Sequence, residues 1–387
     1  MGRLPMLTAA LLHSAVALAL PLDARALVQA APAETFESAA RRAGAARDAG
    51  RDGEAIAAYQ AALALHPDWD EGLWYLGTLL YQSGRREEAD ATLARFLELK
   101  PKTGAGWVLR GFCSFEAGDY KAAADRLRRG LELGLGGNAE LEDVARLRFA
   151  LALVKTYQFE EALQPLTLLA RRTPEKPEVV AAVGLALLRM ARLPPEVPAE
   201  KQALVQKAGQ AGAYHLAERG ADAERAYAEL VAAYPDEPWI HYAQGILLLR
   251  TDSERGMAAL RRELQINPGN ALACLEIAFE LLKLGRNDEA RAVAEHAVEL
   301  APSLFASHAA LGRALVELGD LDRGTRELEL ASRLAPESAE VHFSLARAYA
   351  RAGREADAAR ERAEFARLQR ARAPAEAAPG ARGEVRP

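Results

Sequence analysis

His241, His308 and His342 come nearest to a metal site in this sequence, because they occupy the same slot, four residues into a helix, in three recurring segments of the chain. Packed helices stand ~10 Å apart, whereas zinc ligands must converge to within ~2 Å of one ion, so equivalent positions on neighbouring segments do not share a metal. The spacing predicts packed or capping histidines. Cys113 and Cys274 lie several segments apart, too far for disulfide geometry, and each falls on an apolar helical face, where a small buried thiol is expected. Gly134, Gly136 and Gly137 superficially suggest a phosphate-cradling turn, but they follow a helix rather than a strand, so they read as an inserted loop. No zinc-protease motif, Walker loop, nucleophile elbow or Cys-x-x-Cys pair occurs. No catalytic, cofactor-binding or metal residue is assigned, and an enzyme is not expected.

Any chemistry would have to be positioned by helices. Two back-to-back copies of one 34-residue pattern, ALACLEIAFELLKLGRNDEARAVAEHAVELAPS from Ala271 and FASHAALGRALVELGDLDRGTRELELASRLAPE from Phe305, organise the chain. Leu272, Leu275, Phe279 and Leu282 recur at helical spacing, and Ala290, Val293, Ala294, Ala297 and Val298 do so again after a polar break. Neither helix buries such a face alone, so a fixed period predicts hairpins stacked on one another. Gly77, Gly111 and Gly312 supply small seats on first helices, and Ala89, Ala123, Ala162, Ala223, Ala290 and Ala358 supply them on second helices. Gly84, Gly118, Gly285, Gly319 and Gly353 fall at the turns, where a left-handed backbone suits glycine. Pro67, Pro101, Pro174, Pro235, Pro268, Pro302 and Pro336 stop the second helices.

This arrangement resembles the tetratricopeptide repeat, with its Leu-Gly pair, later alanine and closing proline. The resemblance implies an all-α, right-handed α-solenoid (superhelix) of about nine helix-turn-helix units. It also implies a concave wall lined by first-helix residues, here Trp74, Thr78, Tyr81, Phe112, Phe115, Trp239, Tyr242, Phe279, Arg313, Phe343 and Arg347. As a set they form a candidate groove for an extended peptide or partner helix, with aromatic anchors and arginines to hold carboxylates. The expected function is a non-enzymatic protein–protein interaction scaffold. The alternative is a structural or assembly subunit of an envelope complex that contacts its neighbours through the convex face.

Half of the 387 residues are apolar and aromatics make up only 6%, an all-α composition whose length grows by addition of repeats. The net charge of −5 gives no bias toward nucleic acid, so the expected partner is a protein or peptide. Residues 1–30 carry one early arginine, an apolar run of 14 residues from Leu7 to Leu20, and small-residue sites at Ala24-Arg25-Ala26 and Val28-Gln29-Ala30. This resembles a secretory signal peptide and predicts a periplasmic or secreted protein with no membrane span after leader removal. The chain then divides into an N-terminal block of repeats over 34–192, a Pro-rich break over 193–198, a C-terminal block over 199–370 and a compositionally disordered tail over 371–387. A first helix is expected over Pro177–Arg192, and a hinge at the break that follows it. The first copy, poor in large apolar residues, reads as a capping unit.

Overall fold

The computed structural model describes residues 34–372. The expected leader, and all but the first two residues of the expected tail, lie outside them. Within them the chain is helical throughout: α1 (Phe36–Asp48), α2 (Asp52–Leu65), α3 (Asp70–Gln82), α4 (Arg86–Leu99), α5 (Gly104–Glu116), α6 (Tyr120–Leu133), α7 (Ala139–Lys155), α8 (Phe159–Arg172), α9 (Pro177–Leu187) and α10 (Ala199–Leu216). These are followed by α11 (Gly220–Ala233), α12 (Ile240–Leu248), α13 (Ser253–Ile266), α14 (Ala271–Lys283), α15 (Asn287–Leu300), α16 (Phe305–Glu317), α17 (Leu321–Leu334), α18 (Ala339–Arg351) and α19 (Glu355–Arg372). Two compact units divide the chain, one up to Leu76 and one from Gly77, so their boundary falls inside α3. No helix among the described residues is long and apolar enough to cross a membrane.

In the first unit α1 buries only Ala39, Ala43 and Ala46 against α2. Its start is fixed by a capping box in which the Thr35 hydroxyl accepts from the Ser38 N–H and the Ser38 hydroxyl from the Thr35 N–H. Aromatic rings supply the packing that α1 lacks: Trp69 stands edge-on to Phe36 at 5.2 Å and 5.7 Å from Tyr59, and the Arg47 guanidinium lies 3.9 Å over Tyr75.

In the second unit each helix packs on its neighbours in sequence, the order of an α-solenoid. The small seats work sterically. A β-carbon at Gly77, Gly111, Gly245 or Gly312 would strike Leu93, Leu127, Leu260 or Leu328 respectively, so one leucine of each second helix fills the hollow above a first-helix glycine. The turn glycines Gly84, Gly118, Gly285, Gly319 and Gly353 all have φ between 72° and 89°. In three turns a residue other than glycine, Tyr157 (φ 63°), Arg189 (φ 51°) or Glu218 (φ 59°), takes the same left-handed position, and the turn from α12 to α13 has neither a glycine nor a left-handed residue.

The Pro-rich break has a specific structure. α9 ends at Leu187, short of the expected Arg192, because Arg189 turns left-handed and Pro194–Glu196 forms a 3-10 turn in which the Leu193 N–H donates to Glu196 Oε2 at 2.7 Å. No second helix follows. Instead α10 packs directly on α9 with their backbones in contact: a β-carbon at Gly184 would run into the Val205 carbonyl oxygen, and one at Gly209 into that of Val180.

Candidate functional site

Among the described contacts, the residues expected to line a groove divide into separate groups, and two of these carry most of the aromatic surface. The first is a closed wall. Tyr81, Phe112 and Phe115 from α3 and α5 are brought together by Arg148 of α7, whose guanidinium lies 4.3 Å over Phe112 and 5.9 Å over Phe115. Arg148 also donates to the Tyr81 hydroxyl at 2.9 Å, and that hydroxyl donates to Glu116 at 2.7 Å. Glu116 in turn is paired with Arg148 at 3.1 Å and with Arg86. Burial would raise the Glu116 carboxyl, but the hydrogen bonds from Arg86 and Tyr81 hold it below the usual range. Phe112 is buried, not an exposed anchor. Trp74 and Thr78 of α3 are half-buried.

The second group is open. Trp239 and Tyr242 stand edge to face at 5.8 Å beside a cleft of about 340 Å³. α8 contributes Phe159 and Leu163, α9 Leu187, α10 Leu216, α11 Tyr227, α12 Ile246 and α14 Glu276. The cleft lies beside the interrupted repeat, where α10 packs on α9 and lines it with Gly212, His215 and Leu216. Trp239 does not lie inside its helix as the periodicity suggests; it is the N-cap residue of α12, with φ 74°. Glu263 of α13, fully buried, holds that turn by accepting from the Trp239 N–H through both carboxylate oxygens (2.9 and 3.0 Å) and from the Tyr242 N–H at 3.3 Å. Asn270 Nδ2 donates to the same carboxylate at 3.2 Å. The left-handed turn at Arg189 lays its guanidinium 4.0 Å over Trp239 and 5.4 Å from Phe159, where burial lowers its pKa and Glu160 pairs with it.

Two polar groups of the cleft lack partners. The Tyr227 hydroxyl is fully buried with nothing to bond. Glu276 is half-buried with no hydrogen-bond or ion-pair partner among the described residues, and burial, then the nearby Glu280, push its carboxyl upward. His215 stays uncharged near neutrality, since burial, with Arg250 adding, brings it down to about 4.

The remaining expected residues form a C-terminal surface. Arg313 stands 5.6 Å over Phe279 and pairs with Glu340 at 3.0 Å, while Arg347 pairs with Glu317 at 3.1 Å. Phe343 is 48% exposed and lies 5.4 Å from Phe365 of α19. The three histidines close corners between repeats: the Nε2 atoms of His241, His308 and His342 meet the carbonyls of Pro235, Pro302 and Pro336 at 2.9, 2.8 and 2.9 Å. The Trp107 indole N–H makes the same bond to Pro101 at 2.9 Å. Both cysteines are buried, and burial pushes the Cys113 thiol up to about 11.

Sequence reasoning missed Phe159, Arg189, Tyr227, Glu263 and Glu276, although the repeat register carried a signal for the two acids. Five residues before the closing proline the other copies hold Ala62, Phe96, Leu169, Leu230, Ala297 and Ala331, and only this one holds a carboxylate, Glu263. Eight residues after the proline the others hold Tyr75, Leu109, Ala182, Ala243, Ala310 and Ser344, against Glu276.

Three stretches of the sequence, 46–110, 271–304 and 309–382, match profiles described as tetratricopeptide repeat. No curated protein matches the sequence. Among solved structures the chain is similar to MamA from Desulfovibrio magneticus RS-1, residues 41 to the end, at 22% identity and a TM-score of 0.41, covering 44% of this chain and 97% of that one. It is also similar to a second MamA crystal structure at 15% identity and a TM-score of 0.40, covering 46% and 97%. The matched stretches, the leucines seated over first-helix glycines and the left-handed turns that recur between paired helices agree on one unit of construction, that of a tetratricopeptide repeat protein.

Proposed function

We propose that this chain is a non-catalytic protein-interaction scaffold whose working surface is the cleft beside Trp239 and Tyr242. The observation that carries this reading is an apolar cavity of about 340 Å³, walled by aromatic side chains whose backbone is pinned by a buried carboxylate, with a buried hydroxyl left unsatisfied. A volume and lining of this kind suit a few side chains of a partner segment, with aromatic anchors giving most of the affinity. Trp239→Ala combined with Tyr242→Ala should abolish retention of partners from host extract while leaving helicity nearly unchanged. Leu163→Trp, which fills the cleft and removes no anchor, should do the same and guards against simple unfolding. A folded Leu163→Trp variant that retains the same partners would sink the reading. Export is part of the proposal, resting on the apolar run from Leu7 to Leu20. Recovery of peptides from that run in mature protein from the native host would overturn it.

A further inference from the structure

Four side chains that carry charge or titrate near neutrality line the cleft: Glu160, Arg189, His215 and Glu276. Glu160 and Arg189 neutralise one another, and Arg189 has one face committed to Trp239. His215 lies 6.4 Å from Tyr227 at the apolar end and is uncharged. Glu276 is then the single charge in the cleft with nothing set against it. It stands at a register position where no other copy places an ionisable carboxyl, and Glu280, one turn along α14, is occupied by Ser253 and Lys283. A carboxylate drawn out of water without a cation is unfavourable unless a ligand supplies one. The wall beside Glu276 is aliphatic and aromatic, which suits a long apolar stem ending in a positive head.

We propose, building on the reading of the cleft as the binding surface, that its occupant is a basic side chain, arginine or lysine, of an otherwise apolar partner segment. The cationic head meets Glu276 and the methylene stem lies along Phe159, Leu163 and Ile246. The cleft thus reads positive charge, the reverse of the carboxylate recognition that the arginines of the C-terminal surface suggest.

Random dodecapeptides displayed on phage, panned against the full chain and counter-selected on the Leu163→Trp variant, test this directly. The selected peptides should carry an arginine or lysine flanked by apolar residues. Replacing that residue by its neutral isostere, citrulline for arginine or glutamine for lysine, should weaken binding by about tenfold or more, as loss of a charged hydrogen bond in a partly buried site would. Glu276→Gln should erase the difference between charged and neutral peptides, with a cooperative melt at or above the parent temperature confirming that the variant is folded. Enrichment of acidic or purely apolar peptides, or a charge preference that survives Glu276→Gln, would overturn the basic-ligand inference while leaving the cleft as the binding surface. Failure to select any peptide that discriminates against Leu163→Trp would overturn both.

Discussion

The wall around Arg148 and the cleft under Arg189 are made of the same parts, an arginine laid over aromatic rings with a carboxylate nearby, and they differ in what faces the carboxylate. Glu116 is surrounded by Arg86, Arg148 and the Tyr81 hydroxyl. Glu276 faces none of these, and its cleft lies beside the interrupted repeat where α10 packs on α9. A regular stack of hairpins satisfies its own aromatic residues. The apolar cleft with an unpaired carboxylate lies where the period is broken.

The seam beneath the cleft offers the largest effect. A β-carbon at Gly209 meets the Val180 backbone oxygen, whereas one at Gly77, near the closed wall, meets only the movable end of Leu93. Gly209→Ala should therefore destabilise by roughly 3 kcal/mol or more and Gly77→Ala by about 1–2 kcal/mol. Urea denaturation of the two variants checks the order, and equal losses would mean that the α9–α10 contact is softer than described.

Next come the acids that fix each site. Glu263→Ala leaves the buried Trp239 and Tyr242 N–H groups unpaired and should cost about 2–3 kcal/mol, with a red shift of tryptophan emission. Glu116→Ala opens a wall that water reaches and should cost about 1 kcal/mol.

The comparison sharpens with pH, because the two carboxyls shift in opposite directions. Glu116 is held low, so its stabilising contribution is present above the ordinary carboxyl range near pH ~4 and is lost as pH falls through its depressed folded value. Glu276 is pushed up, so the folded chain binds more protons than the unfolded one in the window from pH ~4 up to its raised value, and stability falls as pH rises through that window. At neutral pH Glu276→Gln should raise the melting temperature and Glu116→Gln should lower it, each by an amount on the order of 1 kcal/mol; the Glu276 difference should shrink as pH falls toward ~4 and the Glu116 difference only below it. Shifts of the same sign would contradict the contrast between the sites. The smallest effect belongs to the C-terminal surface: Phe343→Ser and Arg347→Ala should each change stability by about 0.5 kcal/mol or less, read in the same melts.

Legibility in the sequence followed periodicity. Hairpin order, glycine turns, alanine seats and closing prolines were all readable, because each is a local steric demand repeated at a fixed interval. The first-helix rule also named Trp239 and Tyr242, which stand beside the cleft. It failed for Phe112, which the wall covers, and it could not see Phe159 or Tyr227, which reach the cleft from second helices. Glu263 and Glu276 stood in plain view as acids at apolar register positions, but their meaning depends on which helices meet across the interrupted repeat, and that is set by the close approach of Gly184 and Gly209 to facing backbone. The end of α9 was misplaced because nothing in a side chain such as Arg189 announces a left-handed turn.

The hairpins whose left-handed turn residue is not glycine, at Tyr157, Arg189 and Glu218, are consecutive, and they bracket the cleft. Each holds a side chain in a conformation that disfavours it by about 1 kcal/mol, so glycine at all three would make a sturdier array. That thermostable version would also strip Arg189 from the face of Trp239 and Tyr157 from its edge-on contact with Phe159 at 6.0 Å. At Arg189, then, the turn that glycine would relax is the same one that lays a guanidinium over Trp239, so durability and the shape of the cleft are set by one residue.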